Sequence, residues 1–343
     1  MARFFSGSFP SEALLIKEGD ILEGRWVVGI ILGSGNFGAV YEVRDKHTNL
    51  RRALKIGSKT GGYMSLETET YILKALSKKQ KKHTCEYVTS GKFRDLRYLI
   101  MSIAGRNLAD LKRAVLEHRF SLNTTVRLGI QCIEAIKEIH EIGFVHRDIK
   151  PTNFAIGISG EDARNVYILD FGLARRYRAK DSQLVPARKR VTFRGTVRYA
   201  SVNAHHHRDL GPCDDLWSML YMLIEFRLCR LPWQHMNNEK DVGELKDHMK
   251  AKELLRDLPA EFYLIYHALV YMKYEDTPDY EWFIDKLKGV MKARGYNQQS
   301  PYDWEEGGDS YRHTLKVPIP EYPYASQIAA AEDVQRDSSS NSE

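Results

Sequence analysis

β-Branched and aromatic residues cluster in Trp26–Ile31, Ala39–Val43 and Arg52–Ile56, which predicts three short strands, with glycines in the first turn between them. Helix formers then run from Tyr63 to Leu76, and Tyr87–Lys92 with Leu96–Ser102 resumes a hairpin pattern around Arg94-Asp95. Past Gly105 the period changes: Val126, Ile130, Ile133 and Ile136 recur at three- and four-residue steps, and Gly143 supplies a left-handed stop. Asp215–Leu228, Asp241–Lys252, Glu261–Met272 and Tyr280–Ala293 read as further helices. The pattern therefore predicts an α+β fold. A small β-rich lobe with one main helix (25–102) precedes a larger, mainly α lobe (103–296), and no internal repeat is visible.

The flanks read differently. Residues 1–24 form an amino-terminal extension whose apolar patch, Ala13–Ile16, is too short for a signal sequence or a membrane span. Residues 297–325 are rich in Tyr, Pro and Gly and fit either an extended strap on the second lobe or a linker. Residues 326–343 are short of large apolar side chains and are expected to be a disordered, serine-rich tail. At 343 residues, 43% of them hydrophobic, the chain builds a real core, which excludes disorder throughout. A formal charge of +6 tilts it toward anionic partners. Cys85, Cys132, Cys213 and Cys229 are too scattered for a disulfide framework or a thiolate zinc site and read as reduced thiols. The expectation is a soluble, cytoplasmic and also nuclear monomer with no membrane anchor and no nucleic-acid partner.

Gly33-Ser34-Gly35-Asn36-Phe37-Gly38 is a G-x-G-x-x-G element. A dinucleotide-binding loop would open a helix, whereas Gly38-Ala39-Val40-Tyr41 enters a strand, and a phosphate-binding loop of the Walker type would place Lys where Ala39 stands. What remains is a strand-turn-strand flap whose bare backbone can lie over phosphates, or an ordinary glycine hairpin. Lys55, at the end of a strand, can meet α and β phosphates if a carboxylate orients it. Glu69 is the assigned partner; Glu67 is about 200° away around the same helix, so only one of them faces inward.

The strongest signal is His146-Arg147-Asp148-Ile149-Lys150-Pro151-Thr152-Asn153, followed downstream by Asp170-Phe171-Gly172. Phosphoryl transfer needs a group to orient the attacking hydroxyl and hard oxygen ligands for magnesium. Asp148 would accept the hydroxyl proton, Lys150 would steady the moving phosphate, and Asn153 with Asp170 would hold the metal.

With these motifs the chain resembles a eukaryotic-type protein kinase from roughly Trp26 to Met291. Arg198-Tyr199-Ala200-Ser201-Val202-Asn203 stands where most protein kinases carry Ala-Pro-Glu, a departure that resembles the casein kinase I superfamily and removes a Glu that normally anchors this segment. Gly105–Leu111, Phe193–His205 and Asp214–Ser218 look closest to the tau-tubulin kinase-like branch. The resemblance implies a bilobal kinase fold with ATP and Mg2+ in the cleft. Leu32, Gly33, Ser34, Gly35, Phe37, Gly38, Val40, Ala53, Lys55, Glu69, Met101, Ser102 and Ile103 would then surround the nucleotide, with Met101 behind the adenine, Ser102 and Ile103 on the hinge and Ala53 in the apolar roof. It also implies that Asp215 braces the catalytic loop, although a helix N-cap is an equally good reading, and that Thr196 lies near Asp148.

Serine and threonine hydroxyls of proteins are the implied substrates. Arg194 and Arg198, with Arg188-Lys189-Arg190 before them, suggest an anion pocket for acidic or already phosphorylated sites, or else a solvated basic face. Lys78-Lys79-Gln80-Lys81-Lys82 reads as a solvated turn, and His205-His206-His207 has no assigned role. The rival to an active enzyme is a pseudokinase scaffold, disfavoured because Lys55, Glu69, Asp148, Asn153 and Asp170 are all present.

Overall fold

In the computed structural model, which describes residues 16–35, 38–57, 62–179, 181–317 and 321, the β-rich half forms one antiparallel sheet. Its strands are β1 (Ile21–Leu22), β2 (Trp26–Gly35), β3 (Gly38–Asp45), β4 (Arg51–Gly57), β5 (Tyr87–Phe93) and β6 (Leu96–Met101), in the order β1-β2-β3-β4-β6-β5. The period of two gives the sheet two buried faces. Ala39, Tyr41, Val43, Leu54 and Ile56 pack with Trp26, Val28 and Ile100 on one side; Leu32, Val40, Ala53, Leu99 and Met101 join the main core on the other. Helix α1 (Gly62–Lys78) buries Leu66, Ile72, Leu73 and Leu76 against that second face.

The larger half is built around α3 (Leu122–His140), which follows a short α2 (Leu108–Ala114) that the hydrophobic pattern does not announce. Asn107 starts α2 by accepting the Asp110 N–H, and Ser121 starts α3 by accepting that of Thr124. Around α3 lie α4 (Val202–His205), α5 (Pro212–Leu228), α6 (Glu239–His248), α7 (Ala251–Leu254), α8 (Ala260–Tyr271), α9 (Tyr280–Arg294) and α10 (Tyr311–Thr314). The single helix expected over Asp241–Lys252 is two: Met249 and Lys250 adopt extended backbone, Met249 packs on the core, and Leu254 and Leu255 bury beyond the break.

Beyond α9, Tyr302 and Trp304 stack 4.8 Å apart, and Trp304 lies 5.5 Å from Phe120. Asp303 accepts the Ser121 N–H at 2.7 Å, Arg127 lies 4.1 Å over the Tyr302 ring, and Arg164 pairs with Glu305. Residues 300–305 are thus seated on the beginning of α3. The tail from 326 and the first 15 residues lie outside the described residues.

Two short hairpins set the site. β7 (Phe144–Val145) pairs with β10 (Arg175–Arg176), and β8 (Phe154–Ile156) pairs with β9 (Val166–Ile168). Loop 146–153 leaves β7 and enters β8, while loop 169–174 leaves β9 and enters β10, so the pairings bring the loops side by side. None of the described helices is long and apolar enough to cross a membrane.

Candidate active site

Lys55 projects from β4 between two carboxylates. Its Nζ donates to Glu69 Oε2 at 2.6 Å and to Asp170 Oδ1 at 2.9 Å, tying α1 of the small lobe to a loop of the large one. Glu69 is the buried member of its pair, at 1% exposure; Glu67 points outward and meets Arg97 at 2.6 Å. Burial lifts the Glu69 carboxyl above its ordinary range against the opposing charge of Lys55. Burial pushes Asp170 the same way, but Lys55 outweighs it and holds Asp170 down at about 2. Asp170 sits at φ 62°, left-handed backbone that costs a non-glycine residue roughly 1 kcal/mol or more and tends to mark functional sites.

Asp148 is 8% exposed and gathers the loop around itself. Thr196 Oγ1 donates to its Oδ1 at 2.7 Å, Lys150 Nζ lies 2.7 Å from its Oδ2, and Asn153 Nδ2 donates to its carbonyl at 2.9 Å. His146 holds the loop from beneath: Nε2 meets the Leu169 carbonyl at 3.0 Å, and Nδ1 accepts the Asp148 N–H at 3.2 Å. Asp215 accepts the N–H groups of His146 and Arg147 at 2.7 and 2.8 Å and meets His140 Nε2 at 2.8 Å. It therefore braces the loop, while capping of α5 falls to Asp214, whose Oδ2 takes the Gly211 N–H at 2.8 Å. Gly195, at φ 107°, is where Thr196 approaches the loop; a Cβ there would lie 2.7 Å from the Arg147 carbonyl.

Above these groups, Leu32, Val40, Ala53 and Met101 form an apolar wall, with Ala53 directly opposite Met101 in the β4–β6 register. Ile156 and Leu169 belong to the same cluster from the large lobe. The Ser102 N–H is spent on the Glu86 carbonyl at 2.9 Å, so what Ser102 can offer a base is its carbonyl. Among the described residues, no acceptor reaches the N–H of Ile103 or of Ala104. Ala104 is thus a candidate that sequence reasoning missed, since a backbone donor has no side-chain signature. At the glycine turn, Gly33, Ser34 and Gly35 pair with Val40, Ala39 and Gly38. Gly38 has φ 140° and so little room that a Cβ would lie 1.7 Å from the Ile56 carbonyl oxygen. Phe37, assigned to the same turn, lies outside the described residues.

The donor set suits a hard divalent cation. The Asn153 amide nitrogen is taken by Asp148, and among the described residues no donor reaches Asn153 Oδ1 or Asp170 Oδ2. No cluster of three or more His, Cys, Asp or Glu side chains suited to a metal occurs among the described residues, so these two oxygens would need phosphate and water to complete a shell.

The two arginines assigned to an anion pocket part company. Arg194 lines a cavity of about 460 Å3 with Arg147, Arg188, Arg190 and Thr68. Arg198 does not line it; it turns to Glu225 at 3.4 Å and to the Gln234 carbonyl at 3.0 Å. Inside the cavity, burial and the neighbouring charges of Arg175 and Arg188 lower the Arg147 guanidinium to about 10. Asp209 pairs with both Arg175 and Arg188, at 3.2 and 3.0 Å. Of the other singled-out groups, His205 meets Lys246, His206 meets Asp247 and His207 meets Glu239. Lys81 pairs with Glu141.

A model of the protein kinase domain matches residues 26–287. A probable serine/threonine-protein kinase of Dictyostelium discoideum is 37% identical over 84% of the chain, which spans 58% of that relative's length. A putative serine/threonine-protein kinase of Caenorhabditis elegans is 35% identical over 87% of the chain and 86% of its own length. A putative casein kinase I of the same organism is 31% identical, with 89% of each chain covered.

Proposed function

The chain belongs to the protein kinase family and is an enzyme of the serine/threonine type, and we propose that it transfers the γ-phosphate of ATP to serine and threonine hydroxyls of proteins through Asp148. The observation that carries this reading is the double convergence in the cleft: Thr196, Lys150 and Asn153 on Asp148, and Glu69 and Asp170 on Lys55.

In this reading the substrate hydroxyl oxygen bonds to the γ-phosphorus, the bond from that phosphorus to the β,γ-bridging oxygen breaks, ADP leaves, and the hydroxyl proton passes to Asp148 Oδ2 or Oδ1. Thr196 and Lys150 hold that carboxylate at a fixed tilt. Lys55, steadied by Glu69, presents its ammonium to the α and β phosphates. Asn153 Oδ1 and Asp170 Oδ2 would hold magnesium, which when bound neutralises charge on the phosphates. Ala53, Val40, Leu32 and Met101 enclose the adenine, while the Ser102 carbonyl and the N–H groups of Ile103 and Ala104 meet its edge.

The test is transfer from radiolabelled ATP to a degenerate peptide library, beside Asp148→Asn. We expect the variant to lose about a thousandfold or more in turnover while nucleotide binding stays within about twofold. Comparable turnover in the variant would remove Asp148 from this role, and a wild-type chain that binds nucleotide without transfer would make it a pseudokinase scaffold.

The motifs at Gly105–Leu111, Phe193–His205 and Asp214–Ser218 support placement in the tau-tubulin kinase-like branch of the casein kinase I superfamily. For substrate choice, the cluster of Arg147, Arg188, Arg190 and Arg194 supports a preference for acidic or phosphorylated sites. Arg198 would contribute through the segment it anchors. Neutralising Arg194 and Arg198 together should bring the ratio of phosphorylated to plain peptide turnover down toward one; an unchanged ratio would discard the preference.

A further inference from the structure

Residues 196–203 carry no acidic side chain with which to anchor themselves, yet five consecutive residues of this stretch are held. Tyr199 donates its hydroxyl to Glu225 at 2.5 Å, and Ser201 donates to Asp214 at 2.7 Å. The backbone between is held from α6 and from the turn after α5. Lys246 Nζ donates to the Val197 carbonyl at 2.8 Å and to the Ala200 carbonyl at 2.7 Å, and Trp233 Nε1 donates to the Arg198 carbonyl at 2.7 Å. Lys246 is 5% exposed, and among the described residues no carboxylate lies in ion-pair range of it. What surrounds its ammonium instead is His205 Nε2 at 3.2 Å and the faces of Trp233 and Tyr221 at 4.9 and 5.1 Å.

A lysine buried without a counter-anion is costly unless carbonyls and aromatic faces replace its water. Here both do, and the oxygens it takes lie just past the residue bonded to Asp148: Val197 follows Thr196 directly. We infer that Lys246, with Trp233, is a positioning residue for phosphoryl transfer, replacing the absent carboxylate anchor by a cation that grips backbone carbonyls and so sets Thr196 against Asp148. The inference rests on the reading of Asp148 as the group that meets the substrate hydroxyl, and it names how that group is kept in place.

The burial of the ammonium agrees with a constraint on the ring beside it: burial and the charge of Lys246 lower His205 to about 4, so the imidazole accepts from Lys246 and does not compete as a cation. Burial also pushes the Lys246 ammonium well below its ordinary value, so what the segment-facing side of α6 presents is one buried nitrogen donor to a set of neutral acceptors.

The experiment compares Lys246→Met and Lys246→Arg with wild type, measuring kcat, KM for peptide and the dissociation constant of nucleotide. Met keeps the bulk and the aromatic contacts but donates nothing; Arg restores charge and donors. We expect Lys246→Met to lose about tenfold to a hundredfold in kcat/KM for peptide with nucleotide affinity within about twofold, and Arg to recover at least half of the loss on a logarithmic scale. The losses of Lys246→Met and Thr196→Val should not multiply in the double variant, because both act on one contact. Unchanged peptide kinetics, a parallel fall in nucleotide affinity, or fully multiplying losses would each overturn the inference. Should Lys246→Met fail to fold, as read by circular dichroism, Trp233→Phe takes its place, since it removes a donor while keeping an aromatic face beside the ammonium: the same selective loss supports the clamp, and wild-type peptide kinetics overturns it. Failure of the underlying reading would look different, with Asp148→Asn active whatever stands at position 246.

Discussion

Replacing Asp215 by Asn asks how much of the catalytic loop is held by one carboxylate. Asp215 is 2% exposed, and its two oxygens meet three donors: the N–H groups of His146 and Arg147 and the His140 ring. An amide retains one acceptor oxygen. If that oxygen keeps His146 and His140, the new NH2 faces the Arg147 N–H, and one hydrogen bond to a charged acceptor is lost and a buried donor left unmet. The lost bond is worth about 1.5–3 kcal/mol and the unmet donor about 1–3 kcal/mol, so the loss of stability should be about 3–5 kcal/mol. That is a large fraction of the 5–15 kcal/mol typical of a whole domain, yet short of unfolding it. Arg147 holds φ 67°, so part of the cost should appear as relaxation of the loop and a fall in turnover.

The assay is urea unfolding followed by fluorescence and circular dichroism, with coincident transitions required, together with kcat. The midpoint should fall at unchanged slope. A loss below about 1 kcal/mol would refute the claim that this carboxylate carries the loop, since it would mean the donors find other acceptors. The same group makes a pH prediction. Burial pushes its carboxyl up, but the hydrogen bond and charge of His140, with help from His146, outweigh this and set it below the ordinary value. Its stabilising contribution is therefore present above the unfolded value of about 3.9 and is lost as pH falls through the lower folded value. Wild type should lose more stability than Asp215→Asn in that acid window, so the two unfolding midpoints should converge there.

Lys55→Met removes the cation shared by Glu69 and Asp170 and leaves two carboxylates facing each other; turnover should fall about a hundredfold or more, and the Asp170 carboxyl, followed by carbon-13 NMR, should titrate higher than in wild type. A wild-type rate would mean that another lysine meets the phosphates. Trp304→Ala deletes an indole stacked on Tyr302 and packed by Phe120, and should cost about 3–5 kcal/mol in urea unfolding, although it lies past the region matched by the domain model; a change within 0.5 kcal/mol, about that of a surface substitution, would show that residues 300–305 are not part of the folded unit.

Much of the candidate site is legible without coordinates because its chemistry is carried by side chains at close sequence spacing. Asp148, Lys150 and Asn153 lie within six residues of one loop, which allows few ways of arranging two polar groups around one carboxylate. That only one of Glu67 and Glu69 can face inward was likewise readable, because positions two apart on a helix face opposite sides; that it is Glu69 is seen in its bond to Lys55. The strands were announced by their β-branched residues, and the long core helix by its three- and four-residue period. Local interactions suffice for such features.

What depends on residues far apart in the chain was decided only by the tertiary structure. Asp215 reads equally well as a cap or a brace, and it is the approach of a loop almost seventy residues earlier that makes it a brace, leaving the cap to Asp214. Arg194 and Arg198 look equivalent in sequence, but one turn of the segment carries Arg198 away to Glu225. Lys246, among charged neighbours in a polar helix, carries no sign of burial at all. The physical reason is common to these cases: a side chain's partners are set by which distant backbone groups lose their water on folding, and an unpaired carbonyl or N–H leaves no mark in the amino-acid order.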